Sequence, residues 1–257
     1  MGARNHVAAT GDAMIGAWTV GEQTTEELLA GLPIPAPVIG AHPGVYSPSV
    51  DSALLCRAVL GELDRRRLDG RAETTVLELC AGSGIASICA ALVGATVTAV
   101  DDTAEALAAI DGNATANGVA VTGLLTDVRA LPASVTADVV IANPPYIPAP
   151  PTASAGHAWD AGDDGRDVLD AIIDALPARV RPGGGVLLVQ SDVCGVDQTV
   201  HRLDLVGFSA AIVDEVPLAF GPVMASRAEW LEQHGFIAPG QRTERLVVTR
   251  AVRDAEV

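Results

Sequence analysis

Four consecutive residues in the middle of the chain carry the most specific chemistry of this sequence. Asn143-Pro144-Pro145-Tyr146 directly follow the apolar run A-D-V-V-I-A. The two prolines fix the backbone and remove two N–H donors, which leaves the carbonyl oxygen of Pro144 and the side-chain oxygen of Asn143 as acceptors. Two acceptors without a base suit a planar NH2 group, on which the ring of Tyr146 can stack. We therefore expect Asn143, Pro144 and Tyr146 to be catalytic residues for chemistry at such a nitrogen.

A turn upstream of this tetrapeptide is typical of a site for a nucleotide-like cofactor. Glu78 is followed by L-C-A-G-S-G, and a predicted helix begins directly after Gly84. Small residues in such a turn let a ligand approach the backbone beside the helix N-terminus, where larger side chains would clash. The predicted cofactor contacts in this turn are Glu78, Ala81, Gly82 and Gly84.

Two carboxylates follow at the ends of the next predicted strands. Asp101 lies seventeen residues beyond Gly84, where its oxygens can accept hydrogen bonds from both hydroxyls of a ribose. Asp127 is predicted to end the third strand and to face an adenine edge. Open α/β sheets bind ligands at the carboxyl ends of their parallel strands, so we expect these carboxylates and the glycine turn to meet there, next to Asn143.

The elements that must position these residues alternate between strands and helices. Their continuous apolar runs indicate a parallel sheet covered on both faces, so the predicted fold class is α/β and doubly wound. Two strands in succession at the end of the chain favour an antiparallel hairpin on the sheet edge. The predicted strands are 74–81, 96–101, 121–127, 137–143, 184–190, 208–220 and 244–250, and the predicted helices are 48–67, 84–94, 103–118 and 167–180.

Two segments lie outside this alternation. Residues 1–43 are predicted to form an N-terminal arm with one helix near Thr24 to Ala30, and residues 44–257 to form one catalytic domain. An insert, 217–243, separates the last two strands and is predicted to carry a short helix from 225 to 234. Both segments could close over a substrate pocket.

The glycine turn, the acidic residue after the second strand and the terminal hairpin together resemble class I S-adenosylmethionine (AdoMet) methyltransferases. A dinucleotide-binding fold would need a third glycine, G-x-G-x-x-G, where this chain has I-A-S after Gly84. The resemblance implies a Rossmann-like fold, AdoMet as the cofactor and S-adenosyl-L-homocysteine as the product. It also implies that Asn143 contacts the cofactor.

The tetrapeptide resembles that of methyltransferases acting on planar nitrogens, namely adenine N6 in nucleic acids and the glutamine amide of release factors. Such a nitrogen shares its lone pair with a π-system and attacks a methyl group poorly. Hydrogen bonds from both N–H groups to Asn143 and Pro144 bias the nitrogen towards a tetrahedral shape and stabilise its developing positive charge.

Two further segments resemble the release factor glutamine methyltransferases (HemK-like), particularly their archaeal and eukaryotic-type branch. Residues 44–55 resemble the stretch that leads into the helix flanking the cofactor, which implies a cofactor contact for Tyr46. Residues 158–172 resemble the stretch after the tetrapeptide, although Ala161 stands where that branch often has glycine. The chain has two tyrosines, Tyr46 and Tyr146, and both lie in these motifs. The resemblance leaves open a small activator subunit capping an exposed sheet edge.

Three other residues have plainer predicted roles. Asp51 is interpreted as a helix-start carboxylate rather than a cofactor contact. Trp159 is interpreted as an aromatic anchor for its loop. Arg166 is expected to form a local ion pair with an aspartate within residues 163–167.

The charge balance discriminates between candidate acceptors. The chain has 16 cationic residues, all arginine, against 32 acidic ones, for a formal net charge of −16. A protein that holds bare duplex by its phosphates needs a basic surface, so this balance disfavours nucleic acid.

Cysteine and histidine spacing predicts no metal site, because the four cysteines form no C-x-x-C pair and the histidines are scattered. Free thiols, the lack of a signal sequence and the lack of a membrane-spanning apolar run predict a cytoplasmic protein without a membrane partner.

The sequence thus predicts an AdoMet-dependent N-methyltransferase that acts on a planar nitrogen, with a protein glutamine amide of the release-factor type as the leading acceptor. Two alternatives stay open. The arm 1–43 and the insert 217–243 would suit a small-molecule acceptor of specialised metabolism, and adenine N6 in nucleic acid is the less favoured third choice.

Overall fold

A seven-stranded mixed sheet forms the centre of the molecule. The computed structural model describes residues 19–20, 23–71, 73–151 and 159–254. The strands are β1 (Thr75–Leu79), β2 (Thr96–Asp101), β3 (Val121–Leu125), β4 (Ala137–Ala142), β5 (Val180–Ser191), β6 (Phe208–Ala219) and β7 (Thr243–Arg253). A separate two-stranded ribbon pairs Thr19–Val20 with Gln23–Thr24.

The strand order is β3-β2-β1-β4-β5-β7-β6. The first five strands in this order are parallel, and β7 runs antiparallel to both β5 and β6. This confirms the predicted doubly wound, mostly parallel sheet with an antiparallel C-terminal hairpin.

Eight helices flank the sheet in the described part of the chain. They are α1 (Thr25–Ala30), α2 (Val50–Leu68), α3 (Ile85–Leu92), α4 (Ala104–Ala116), α5 (Asp167–Arg179), α6 (Val196–Leu205), α7 (Pro222–Ser226) and α8 (Ala228–Gln233). None of them is long and apolar enough to cross a membrane.

Three of these helices correct the sequence-based expectations. Helix α6 was not predicted, although its residues Val196, Thr199 and Leu203 recur at helical spacing and are buried. The single helix predicted for the insert is two short helices, α7 and α8. Strand β6 runs to Ala219 and β7 begins at Thr243, so the segment between them is 220–242.

The apolar composition of the central strands follows from burial on both faces. In β4, Val139 and Ile141 pack into a cluster with residues of α2 and α3. Their neighbours Val140 and Ala142 point the other way, into a cluster with residues of α5. Because side chains alternate between the faces of a strand, a strand covered twice must be apolar throughout. Each such valine or isoleucine contributes about 1.5–3 kcal/mol by leaving water.

The point where strand order reverses brings the two predicted motifs together. From β1 the chain first moves to β2 and β3 on one side, and later returns to β4 on the other side. Leu79 and Ala142 are paired across β1 and β4. The residues that follow them, the glycine turn and Asn143, therefore emerge side by side at the carboxyl edge of the sheet.

The described part of the predicted arm packs onto the domain. Leu32 is buried in the same cluster as α2, and Ile34 and Ile39 pack against it. The N–H groups of Val38 and Gly40 donate to side-chain oxygens of Asn117 and Asn113, both at 2.8 Å. Residues 32–40 thus lie along the C-terminal part of α4.

Substitution of Gly84 would test the close packing between the start of α3 and α4. It has φ +73°, and a Cβ there would lie 2.8 Å from Ile110 Cγ1. We expect Gly84→Ala to lower the free energy of unfolding by about 1–3 kcal/mol in urea denaturation. Gly61→Ala is the matched control, because a Cβ at this exposed position of α2 meets nothing within 4 Å. It should raise stability by about 0.5–1 kcal/mol, and equal effects of the two substitutions would contradict this packing.

Candidate active site

A cavity of about 450 Å³ opens at the carboxyl edge of the sheet. It is lined by the turn after β1, the ends of β2 and β3, the segment after β4, the start of α2 and the start of β7. The predicted site residues on its wall are Tyr46, Glu78, Ala81, Gly82, Asp101, Asp127, Asn143, Pro144 and Tyr146. Gly84 does not line the cavity; its missing side chain instead allows α3 to approach Ile110 of α4.

The turn after β1 is built from residues in the left-handed region. Cys80, Gly82 and Gly84 have φ values of 55°, 51° and 73°. The Ala81 N–H donates to the Val100 carbonyl at 3.0 Å, which ties the turn to β2. A Cβ on Gly82 would meet nothing within 4 Å, so the backbone there faces open space beside the first turn of α3. This geometry fits a ligand that lies directly on the main chain.

Asp101 lies where a ribose-binding carboxylate is expected, and it also organises the turn. Its Oδ2 accepts the Gly82 N–H at 2.9 Å. Its Oδ1 accepts the Thr103 N–H at 3.1 Å and the Thr103 hydroxyl at 2.8 Å. A carboxylate has about four acceptor positions, so one stays available to a ligand hydroxyl. Thr103 also caps α4, since its hydroxyl oxygen accepts the Ala106 N–H at 3.3 Å.

Asp127 corrects one detail of the sequence analysis. The strand β3 ends at Leu125, and Asp127 instead begins a single 3-10 turn over Val128–Ala130. Its Oδ1 accepts the Arg129 N–H at 2.6 Å. Asp127 still lines the cavity, on the side of β2 and β3.

Glu78 is a buried acid beneath the glycine turn. Its Oε2 accepts the Ser87 N–H at 2.8 Å, in the first turn of α3. Burial raises the pKa of Glu78 to about 7, while the hydrogen bonds from Ser87 act in the opposite direction. The carboxyl group therefore joins β1 to the helix N-terminus and also faces the cavity.

Asn143 presents an unused acceptor. Its Oδ1 is buried and has no hydrogen-bond partner among the residues that the structure describes, and the residue lines the cavity together with Pro144. Buried polar atoms without partners are rare in folded proteins, and an unsatisfied one costs about 1–3 kcal/mol. Such an atom on a cavity wall indicates a position for a donor from a bound molecule.

The segment after the tetrapeptide is held by a second loop. Ile147 and Asp160 form a parallel bridge, and the Ala149 N–H donates to the Gly162 carbonyl at 2.9 Å. Gly165 lies so close that a Cβ would be 2.6 Å from the Tyr146 carbonyl oxygen. The insert joins this arrangement, because Arg227 donates to the Pro148 carbonyl at 3.1 Å and pairs with Asp160.

The two tyrosines of the resembling motifs meet on one carboxylate. The hydroxyls of Tyr46 and Tyr146 each donate to Asp51 Oδ2 at 3.0 Å. Asp51 Oδ1 accepts the N–H and hydroxyl of Ser52 at 2.6 and 3.2 Å. Burial, and then the charge of Asp51, raise the pKa of both tyrosines well above its usual value. Asp51 is thus more than a helix-start carboxylate, yet its four acceptor positions leave none for the cofactor.

Trp159 was predicted to anchor its loop, and Arg166 to form a local ion pair. Trp159 packs edge-on against Tyr46, with ring centroids 6.0 Å apart, and it lines the cavity as well. The buried Arg166 does not pair within residues 163–167. Its guanidinium instead bonds to Asp170 Oδ1 at 2.7 Å, one turn along α5, and to the Cys194 carbonyl at 2.6 Å.

Glu244 is the site residue that the sequence analysis missed. It lies at the second position of β7, is buried, and lines the cavity. The alternation of exposed and buried residues in β7 puts Glu244 in phase with the buried Leu246 and Val248. That period-two pattern was the available signal.

The fold and the cavity define a class I AdoMet-dependent methyltransferase. The mostly parallel sheet with its antiparallel last strand, the glycine turn and carboxylates at its carboxyl edge, and the adjoining N-P-P-Y segment are all present. The chain also matches the model of the Methyltransferase small domain family over residues 38–205. It belongs to that family.

Relatives of known name cover much of the chain. A protein of Methanocaldococcus jannaschii, provisionally named protein N5-glutamine methyltransferase, is 33% identical over 194 residues, which are 73% of this chain and 92% of that protein. The release factor glutamine methyltransferase of Bordetella pertussis is 36% identical over 56% of this chain and 56% of its own length. A Streptomyces pristinaespiralis methyltransferase of 4-amino-L-phenylalanine and 4-methylamino-L-phenylalanine is 30% identical over 58% of this chain and 54% of its own length.

Solved structures agree with the fold. The E. cuniculi Mtq2-Trm112 complex, described as methylating the eRF1 termination factor, aligns with a TM-score of 0.54 at 20% identity, over 82% of this chain and 99% of that one. The T. thermophilus 16S rRNA methyltransferase RsmC, in complex with AdoMet and guanosine, aligns with a TM-score of 0.54 at 22% identity, over 82% of this chain and 46% of that one.

Asp101 is the predicted contact to the ribose, so its substitution should weaken cofactor binding. We expect Asp101→Ala to reduce the affinity for AdoMet several-fold, because the substitution removes a ribose acceptor and frees the Gly82 N–H. Isothermal titration calorimetry measures this directly. Asp111→Ala, on the exposed face of α4, removes the same charge and should leave the affinity unchanged. Equal affinities of the wild-type protein and Asp101→Ala would refute the ribose assignment.

Proposed function

We propose that this enzyme transfers a methyl group from AdoMet to the side-chain amide nitrogen of glutamine in a protein. The observation that carries the proposal is the unpartnered, buried Oδ1 of Asn143 on the wall of the cofactor cavity. An acceptor with N–H groups would satisfy this atom. The names of the Methanocaldococcus and Bordetella relatives support glutamine as the residue that carries those groups.

The cofactor would lie along the turn after β1. The backbone at Gly82 would contact it closely, Asp101 would accept a ribose hydroxyl, and Asp127 would face the adenine. When bound, AdoMet supplies a methyl group on a sulfonium, whose sulfur keeps the electron pair of the broken bond and becomes the neutral thioether of S-adenosyl-L-homocysteine.

The residues on the acceptor side compensate for the poor nucleophilicity of an amide nitrogen. Asn143 Oδ1 and the Pro144 carbonyl would accept the two N–H groups and draw the nitrogen out of conjugation. The nitrogen then forms its bond to the methyl carbon, and the proton it must lose passes to water. The hydrogen bonds strengthen as positive charge develops on the nitrogen, so they act mainly in the transition state.

A small-molecule acceptor is the second candidate, and the insert is the observation that favours it. Residues 221–224, between β6 and β7, line the cavity and narrow the space available to a protein loop. A relative named for a free amino acid with an amine acceptor belongs to the same set of matches. Nucleic acid stays disfavoured by the net charge of −16.

An activator subunit is a further proposal for the exposed edge of the sheet. Strand β3 is an edge strand, with one row of backbone groups free for pairing. Its last residue, Leu125, is 56% exposed. A small partner that added a strand there would cover Leu125 without touching the acceptor side of the cavity.

A substitution at Asn143 should separate AdoMet binding from methyl transfer. We expect Asn143→Ala to keep most of the AdoMet affinity and to lower the rate of methyl transfer by about 100-fold or more, as for other lost transition-state hydrogen bonds. Radiolabel transfer and calorimetry measure the two quantities. Gln198→Ala removes an exposed amide from α6 and should leave both unchanged. Near-normal turnover of Asn143→Ala would refute the acceptor role.

The acceptor class is identified by where the label goes. The purified enzyme and methyl-labelled AdoMet are incubated with a cell lysate, which is then fractionated by size, with Asn143→Ala as the blank. We expect label in a protein band, released as methylamine by acid hydrolysis because the methylated amide bond is cleaved. Label in the small-molecule fraction would support the second candidate instead, and label in nucleic acid would contradict both.

A further inference from the structure

Glu244 is a buried carboxyl group that has no role in the proposed mechanism. Its side chain comes from the start of β7, and the residue is 8% exposed. It lines the same cavity as Asn143, Pro144 and Tyr146, and its ionisable neighbours include Asp51 and Tyr146. Its Oε2 is buried and accepts no hydrogen bond from the described part of the chain. Two residues of one cavity wall, Asn143 and Glu244, therefore each carry a buried oxygen without a partner among the described residues.

The surroundings of Glu244 favour its protonated form. Burial is the largest cause of a pKa raised to about 7, the charges of Asp192 and Asp51 raise it further, and hydrogen bonding with Ser191 lowers it. The nearest cation in sequence, Arg245, is turned away and binds Asp192 and Glu215 instead. Burial and two nearby carboxylates thus favour the protonated form of Glu244 at pH values below about 7.

Other titratable groups around Glu244 come from three segments. Tyr46 and Asp51 lie before and at the start of α2, Tyr146 follows β4, and Asp192 and Cys194 follow β5. The tyrosine hydroxyls both donate to Asp51. They are therefore not free to donate to a substrate oxygen.

An amide acceptor requires a hydrogen-bond donor as well as two acceptors at this place. Its NH2 group has two acceptors, Asn143 Oδ1 and the Pro144 carbonyl, but its own carbonyl oxygen requires a donor. A protonated carboxyl is such a donor, whereas an ionised carboxylate would repel the carbonyl oxygen. An amine has no carbonyl group and would leave this donor unsatisfied.

We propose that Glu244 selects an amide as the methyl acceptor, by donating a hydrogen bond from its protonated carboxyl to the amide carbonyl oxygen. This inference rests on the proposed function, because it requires an amide in the cavity. Glu244 is then a specificity-determining contact that acts in substrate binding, while Asn143 and Pro144 act on the nitrogen.

The sign of the pH dependence follows from the protonated form. The hydrogen bond is present below a pKa of about 7 and is lost as the pH rises through it. Between pH 6 and pH 8 the protonated fraction of such a group falls about tenfold. We expect kcat/KM for the acceptor to fall by that factor, through KM rather than kcat.

Two variants at this position separate donation from charge. Glu244→Gln keeps an N–H donor but cannot ionise, so it should retain kcat/KM within a few-fold of the wild-type value at pH 6 and show no fall up to pH 8. Glu244→Ala lacks a donor and should lose at least about tenfold at pH 6. Glu229→Gln, on the exposed side of α8, should keep the wild-type profile. Calorimetry with S-adenosyl-L-homocysteine should give unchanged affinity for all variants, which reports an intact fold.

The probe is the protein fraction of the lysate that accepts the label. Glu244→Gln as impaired as Glu244→Ala, or a wild-type kcat/KM that rises with pH, would overturn the role of Glu244. Label that hydrolysis does not release as methylamine would instead refute the proposed function. The two failures are therefore distinguishable, because one concerns the pH profile and the other the chemical identity of the product.

Discussion

The acceptor side of the cavity depends on the carboxylate of Asp51. Its Oδ2 receives the hydroxyls of Tyr46 and Tyr146, residues that lie a hundred positions apart in the chain. Its Oδ1 is held by Ser52, in the first turn of α2. A buried carboxylate is expensive unless it is fully hydrogen-bonded, and these four donors meet that condition. The first turn of α2 and the segment after β4 are therefore locked in one relative position, which sets where Asn143 and Pro144 point.

The cavity has two walls of different origin. The proposed cofactor wall comes from β1, β2 and β3 and the turns that follow them, so it is built from one compact stretch of the chain. The proposed acceptor wall combines the start of α2, the segment after β4, the insert and β7. Among the described residues, the acidic and basic side chains of the lining are Asp51, Glu78, Asp101, Asp102, Asp127, Glu244 and Arg129. Even with Glu78 and Glu244 protonated, the four aspartates outnumber the single arginine, and such a lining favours a ligand that carries a positive sulfonium.

More of the cofactor wall than of the acceptor wall could be predicted from the sequence. Strand and helix alternation, with apolar runs such as V-V-I-A in β4, predicted the parallel sheet, and the ends of parallel strands then placed Asp101 and Asn143 together. Local patterns carry that information. Asp127 lies only two residues beyond the end of β3, where it begins a 3-10 turn instead of ending the strand.

The remaining errors come from tertiary contacts that no local pattern contains. Asp51 looks like any helix-start carboxylate until the fold brings Tyr146 to it. Glu244 looks like an exposed strand residue unless its alternation with Leu246 is weighed, since an acid is rarely placed on an inward face. Gly84 was predicted from the sequence to contact the cofactor, and the fold shows a second reason for glycine there, the close approach of Ile110. Helix α6 was not predicted because only three of its residues are buried, and one of these, Thr199, is polar.

The position of β7 in the sheet affects the order in which the strands can pair while the chain is synthesised. Strand β7 lies between β5 and β6, although it is the last of the three to be synthesised. On a ribosome, the cofactor wall can therefore form while the acceptor wall still lacks Glu244 and a paired neighbour for β5. The sheet, and with it this side of the cavity, is complete only when the final strand inserts between its two predecessors.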